Sequence, residues 1–344
     1  GGSLDVKELK NYIYENKYCE QILESVGCHH IKYHSVGAYW TAGNPDGDNK
    51  GAIILYNNES LICLNKTRQM TKGNRQTDII DLVCYVKDLT FPEGLKEICS
   101  EIGMSYYHDF EEDIPDSFKI LKMLEDMDSN ISEEKEKPLQ PISEKILSYY
   151  KPYVNDLFYE DYIDYETQRE FEIGFDEETN RYTIPIRSEL GDLVGVKARY
   201  FDRKVPDGMN KYIYLEPCAK SKIIYGLYKT LPYIKRTGRI YVGESEKFVE
   251  QAWSYGYQNT GGTGGKELSQ YQIDMLVRLG VDIVLCLDKD VKKEELEELA
   301  ERFPDGVPLY YMFDENNILS EKESPTDDPI KWKHLVENNI YRLR

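Results

Sequence analysis

Apolar and polar positions change rhythm along the 344 residues, and the changes divide the chain into regions. Residues 5–25 carry apolar positions at helical spacing, as do TDIIDLVCYVKDL (77–89) and TFPEGLKEICSEIG (90–103). In the last of these Thr90 and Glu93 make a capping box, Pro92 sits in the first turn and Gly103 closes the pattern. Between the helices, GAIILYNNESLICLN (51–65) reads as a hairpin, two β-rich runs separated by Asn-Asn-Glu-Ser. A β-rich section follows at about 163–216, where RYTIPIRSELGDLVGVKARYFD alternates as a hairpin around Gly191. From Arg239 the rhythm becomes strand, helix, short strand, helix, strand, helix, strand: RIYVGE, EKFVEQAWSY, YQNT, ELSQYQIDMLVRL, DIVLCLD, KKEELEELAERF and PLYYMF. That alternation predicts a parallel sheet with helices on both faces.

The pattern fails between 108 and 140, where EEKEKPLQP is the most linker-like stretch. The expected organisation is α+β and multidomain: a small α+β unit at 1–107, an acidic linker at 108–140, a basic β-rich subdomain at 141–236, and an α/β domain with a short C-terminal helix at 237–344. The opening Gly-Gly-Ser carries no fold signal.

Composition is globular, with no apolar run long enough to span a membrane and no visible signal peptide. The seven cysteines are odd in number, scattered mostly through apolar patterns and never in a C-x-x-C pair, which implies reduced thiols in a cytoplasm. The formal charge of −19 argues against nucleic acid as a partner until its distribution is considered. Residues 101–137 hold twelve acids and four lysines, whereas 181–239 hold thirteen basic residues and five acids. Acid is concentrated in the linker and base in a working domain.

Two apolar strands end on carboxylates: RIYVGE on Glu244, and DIVLCLDKD on Asp288 and Asp290. In open parallel sheets ligands bind beyond the carboxyl ends of the strands. An Asp-x-Asp at a strand end would put both side chains on one face, suited to hard divalent ions, Mg²⁺ foremost and Mn²⁺ as its substitute. Taken singly, each acid could as well cap the following helix.

Here the chain resembles the Toprim domain shared by DnaG-type primases, topoisomerases and some nucleases. The family pattern is a strand-end Glu, a helix, a glycine-containing turn and a strand ending in Asp-x-Asp, matched by Glu244, GGTGG at 261–265, and Asp288 with Asp290. The preceding segment resembles the basic subdomain of DnaG-type primases: GDLVGVKARYF with Arg199, NKYIYLEP with Lys211 and Tyr212, and KSKIIYGLY with Lys220 and Lys222. By this resemblance those residues would hold the template strand or the incoming triphosphate, while Glu244, Asp288 and Asp290 would bind metal and catalyse. The chain departs from the family at Phe248, where an acid is usual, and in ESPTDD, where Glu323 and Asp327 are the nearest candidates for a second metal site.

The first hundred residues are also similar to the primase zinc-binding domain. A zinc ribbon needs two ligand pairs at close spacing, but Cys63 stands alone where the second belongs, and Cys28, His29, His30 and His34 have no partner pair. Structural zinc is therefore not expected. In its place NKTRQMTKGNR (65–75) carries Lys66, Arg68, Lys72 and Arg75 with no acid, a turn able to grip template phosphates or equally a solvated loop.

The resemblance implies a primase that makes short RNA primers on single-stranded DNA from ribonucleoside triphosphates, with a replicative helicase as a further partner and no membrane. The chain stops soon after the Toprim-like region, so a C-terminal helicase-binding domain is not expected. Such a compact form resembles primases of bacterial viruses, acting in the host cytoplasm. A Toprim nuclease is the enzymatic alternative; a Toprim protein that binds DNA or a replication partner without chemistry is the other. A topoisomerase needs more chain, and 29 tyrosines single out no nucleophile.

Overall fold

The computed structural model describes residues 4–72, 75–110, 117–118 and 138–344. The expected acidic linker at 108–140 lies mostly outside them. The chain separates into two compact units, residues 1–139 and 140–344, so the antiparallel and parallel sheets of the second half belong to one unit.

In the first unit helix α1 (Val6–Glu15) is capped by Asp5, whose carboxylate accepts from the amides of Lys7 at 2.8 Å and Glu8 at 3.1 Å. Helix α2 (Cys19–Ser25) follows after a break at Lys17, which takes a left-handed φ of 60°. The apolar stripe over 5–25 is thus two helices. Four antiparallel strands come next, in spatial order β1 (His29–His34), β2 (Tyr39–Gly43), β3 (Ile53–Tyr56) and β4 (Cys63–Asn65). The expected hairpin is β3 and β4; the apolar pattern does not mark β1 and β2. Helices α3 (Ile79–Lys87) and α4 (Phe91–Glu101) complete the unit, and the Glu93 carboxylate accepts from the Thr90 amide at 2.8 Å. Leu9, Ile13, Ile22, Leu55, Leu61 and Ile80 form its fully buried centre.

The second unit begins with a five-stranded antiparallel sheet in spatial order β5 (Lys151–Pro152), β6 (Gly174–Asp176), β7 (Arg181–Arg187), β8 (Leu193–Tyr200) and β9 (Tyr212–Glu216). Short helices α5 (Asp156–Glu160) and α6 (Tyr165–Glu170) lie between β5 and β6 in sequence. The β7–β8 hairpin turns at Gly191, whose φ of 90° suits glycine.

Helix α7 (Leu227–Thr237) leads into the alternating region: β10 (Arg239–Gly243), α8 (Glu246–Ser254), β11 (Thr260–Gly262), α9 (Gln270–Arg278), β12 (Asp282–Leu285), α10 (Lys293–Glu301), β13 (Leu309–Met312), α11 (Pro329–Asn338) and β14 (Ile340–Arg342). The spatial order is β11-β10-β12-β13-β14, parallel except for β14. The short strand lies at 260–262 rather than at YQNT. Ile240, Val242, Ile283, Leu285, Leu276 and Leu309 form the core beneath this sheet. Among the described residues no helix is long and apolar enough to cross a membrane.

Candidate active site

Strands β10 and β12 run side by side and parallel, in register from Arg239 opposite Asp282 to Val242 opposite Leu285. Their carboxyl ends therefore coincide, and the Cys286 amide extends the ladder to the Val242 carbonyl at 2.7 Å. Glu244 follows β10 directly. It is not the cap of α8, because Ser245 takes that position and its hydroxyl accepts from the Phe248 amide at 3.1 Å. Asp288 and Asp290 cap nothing either, since α10 starts after Lys292, where the Glu295 carboxylate accepts from the Lys292 amide at 2.9 Å.

Glu244 and Asp288 are brought together: the Asp288 amide donates to the Glu244 carboxylate at 3.2 Å. Burial pushes the Glu244 carboxyl up to about 7, and the charges of Asp288 and Asp290 push the same way, against the Asp288 amide. Asp290 is exposed and ion-pairs with Lys266. The backbone turns here, because β12 ends at Leu285 and the Val291 amide closes a turn on the Asp288 carbonyl. Extended geometry no longer holds at Asp-x-Asp, so its two side chains do not share a strand face. Among the described residues no cluster of three or more His, Cys, Asp and Glu side chains is arranged to hold a metal ion.

The expected second metal site does not join this pair. Asp327 lies 3.4 Å from the Lys247 ammonium, accepts from the Gln251 side-chain amide at 3.3 Å and from the Ser324 amide at 2.8 Å. Glu323 pairs with Lys331 at 2.6 Å. Both acids are engaged around the start of α11 and its contact with α8. Phe248 is buried against Gly243, where an added Cβ would lie 2.2 Å from its ring, and meets Trp332 edge-on. It is part of the core.

Among the basic candidates, the Arg199 guanidinium is buried and turned onto backbone, donating to the carbonyls of Tyr200 and Asp202. In this conformation it helps hold the loop after β8. Lys211 is exposed, with its ammonium 5.8 Å from the Tyr212 ring centre. Tyr212 is partly exposed on β9. Lys220 and Lys222 sit in a single 3₁₀ turn, Lys220–Lys222, and Lys220 lines a cleft with Tyr214, Glu246, Thr263 and Gly264. In the other unit Lys66 is exposed, but Arg68 pairs with Asp46 at 2.9 Å and Arg75 pairs with Asp81, so the turn is less basic than its sequence. Sequence reasoning missed Lys197. It stands two residues before Arg199, where strand alternation puts it on the same face, and it contacts Glu246.

No family model matches the chain. It is 30% identical over 235 residues to an SPbeta prophage-derived uncharacterised protein, YorJ, of Bacillus subtilis strain 168, an alignment spanning 59% of this chain and 61% of that protein. It is 28% identical over 124 residues to the DNA primase of Halalkalibacterium halodurans, covering 35% of this chain and 20% of the primase. With the DNA primase of Buchnera aphidicola it shares 25% identity over 179 residues, 49% of this chain and 31% of the primase. The chain thus spans under two thirds of each of these relatives. Among solved structures, the Aquifex aeolicus primase with its zinc-binding and RNA polymerase domains shares 18% identity over 96% of this chain and 86% of that one, at a TM-score of 0.49. A DnaG primase catalytic domain bound to single-stranded DNA shares 18% identity over 57% of this chain and 76% of that one, at a TM-score of 0.45. Over parts of its length, this chain is thus similar in sequence to bacterial DNA primases.

Proposed function

We propose that the chain is a DnaG-type primase with a Toprim-type core, which synthesises short RNA primers on single-stranded DNA. The observation supporting this most directly is the meeting of Glu244 and Asp288 at the ends of adjacent parallel strands, with neither used as a helix cap. Two hard oxygen donors, one of them half-buried and reluctant to ionise alone, suit a divalent cation. Glu244, Asp288 and Asp290 are the residues that would hold Mg²⁺ or Mn²⁺. Bound there, the ion supplies positive charge to the triphosphate of an incoming ribonucleotide and to the leaving pyrophosphate. The chain's own part is to supply, besides these acids, Lys220 in a cleft and the exposed Lys211 to neutralise phosphates, and the partly exposed Tyr212 as a flat face for a base. A replicative helicase is the partner such an enzyme would work with.

A second reading, a Toprim protein that binds DNA without chemistry, is favoured by the pairing of Asp290 with Lys266 and by the engagement of Asp327 with Lys247. Incubation with single-stranded DNA, labelled ribonucleoside triphosphates and Mg²⁺ separates the readings. Primer synthesis yields short labelled RNA. Shortening of the DNA would assign a nuclease, and retention of DNA with neither change would assign the binding protein.

A further inference from the structure

Lys197 of β8 and Glu246 in the first turn of α8 form an ion pair that joins the antiparallel sheet to the helix beginning just after Glu244. The ammonium lies 3.0 and 3.2 Å from the two carboxylate oxygens. Both side chains are largely withdrawn from solvent, at 17% and 9% exposure. The same ammonium stands 4.8 Å from the ring centre of Tyr212 and 5.9 Å from that of Tyr214. Those rings are themselves each 36% exposed on β9. Glu246 lines the cleft with Lys220, Thr263 and Gly264.

A buried ion pair is a weak source of stability, because desolvation of both charges offsets their attraction. The surroundings suggest another use. A phosphate oxygen offers a lysine the same charge-assisted hydrogen bond that a carboxylate does, and the two partly open tyrosine faces beside the ammonium can receive a base. Arg199, on the same strand, is buried and donates to loop carbonyls.

We propose that Lys197 is a phosphate-binding residue of the cleft, and that Glu246 is an internal anion that occupies it until the phosphate of a nucleotide or of a single DNA strand takes its place. The inference rests on the primer-synthesis reading and adds to it a positioning residue and a competitor built into the chain.

The two sources of phosphate are tested separately, by titrating labelled ATP and a labelled oligothymidylate against the full chain and its Lys197→Met, Glu246→Gln and doubly substituted variants. Removing the competitor makes Glu246→Gln bind at least one probe severalfold more tightly. Lys197→Met binds the same probe severalfold more weakly, and the double variant behaves like Lys197→Met. The responding probe identifies the source, and for DNA the loss of Lys197 also lowers the salt dependence of binding by about one counterion. Glu246→Gln keeps the shape of the residue, so its result stands even if Lys197→Met fails to fold. A pair that only braces the two elements predicts that Glu246→Gln lowers the melting temperature and leaves affinity equal or weaker, which overturns the proposal. Primer synthesis with unchanged probe affinities in every variant sinks this inference alone. Altered affinities without primer synthesis sink the primase reading alone, and a wild-type chain that binds neither probe overturns both.

Discussion

The backbone amide of Asp288 donates to the carboxylate of Glu244, tying the turn after β12 to the end of β10. This hydrogen bond survives conversion of Glu244 to Gln, because the amide keeps an acceptor oxygen. What the substitution removes is charge. Glu244→Gln, Asp288→Asn and Asp290→Asn are each expected to abolish primer synthesis, since an amide cannot supply the negative charge a hard divalent cation requires. In chelator, Glu244→Gln should melt at the same temperature as wild type or higher, because burial and its acidic neighbours disfavour the native carboxylate. Asp290→Asn loses only an exposed, solvent-screened pair with Lys266 and should leave stability nearly unchanged. Melting curves and nucleotide incorporation measured on the same samples decide the matter. Lower metal-free melting temperatures with incorporation intact would make these residues structural.

Arg199 and Lys211 bring together two basic residues of the primase-like motifs in opposite circumstances. Arg199→Ala leaves the carbonyls of Tyr200 and Asp202 without a buried donor, and should destabilise the chain by about 1–3 kcal/mol. Lys211→Ala, at an exposed position, should leave stability nearly unchanged and weaken binding to single-stranded DNA, more at low salt than at high. Denaturant titration and DNA affinity over a range of ionic strength test the contrast. An Arg199→Ala chain of wild-type stability with weakened DNA binding would restore its role as a phosphate contact.

What the sequence reveals of this fold follows what is local. The strands at 239–243, 282–285 and 309–312 are apolar runs bounded by Gly, Asp or Pro, and their alternation with helices announces a parallel sheet. Strand β11 escapes because two of its three residues are glycines, read by propensity as a turn. Packing demands them: a Cβ at Gly262 would lie 2.7 Å from the Ser245 carbonyl, and one at Gly261 would lie 2.6 Å from Ile224. The acids of the candidate site are legible from their place at strand ends, but their mutual geometry is not, because the turn closed on the Asp288 carbonyl carries Asp290 toward Lys266. Ion pairs between distant residues are invisible in the same way. NKTRQMTKGNR reads as uniformly basic, yet Arg68 finds Asp46 and Arg75 finds Asp81.

The first unit should fold without zinc. Cys63 is fully buried in β4, and burial with the nearby charge of Asp78 holds its thiol well above the ordinary range. Burial pushes Cys19 and Cys28 up to about 11. Among the described residues no three His, Cys, Asp or Glu side chains are grouped so as to hold a metal ion. Purified protein should carry no stoichiometric zinc by elemental analysis, and its melting temperature should not move with chelator. Zinc that survives dialysis against a chelator at one ion per chain sinks the prediction.

Glu250 of α8 is wholly buried, and its carboxylate accepts from the Tyr225 hydroxyl at 2.7 Å. Burial pushes this carboxyl up to about 8; the Tyr225 hydrogen bond and the Lys197 charge oppose the shift, and the Glu246 charge adds to it. Tyr225, Tyr228 and Tyr212, the phenols that interact with it, are themselves raised by burial and stay neutral at such pH. Between about pH 4.5 and 8 the native chain therefore holds a proton that the unfolded chain has released. Stability falls as pH rises through that window, by up to about 1.4 kcal/mol per unit, and levels off once both states are ionised. Gln at this position keeps an acceptor for Tyr225 and does not titrate. The melting temperature of Glu250→Gln relative to wild type should thus climb steadily from pH 5 to pH 8. A difference that is the same at both ends would mean that Glu250 ionises as an ordinary carboxylate, and that its surroundings are wetter than their burial implies.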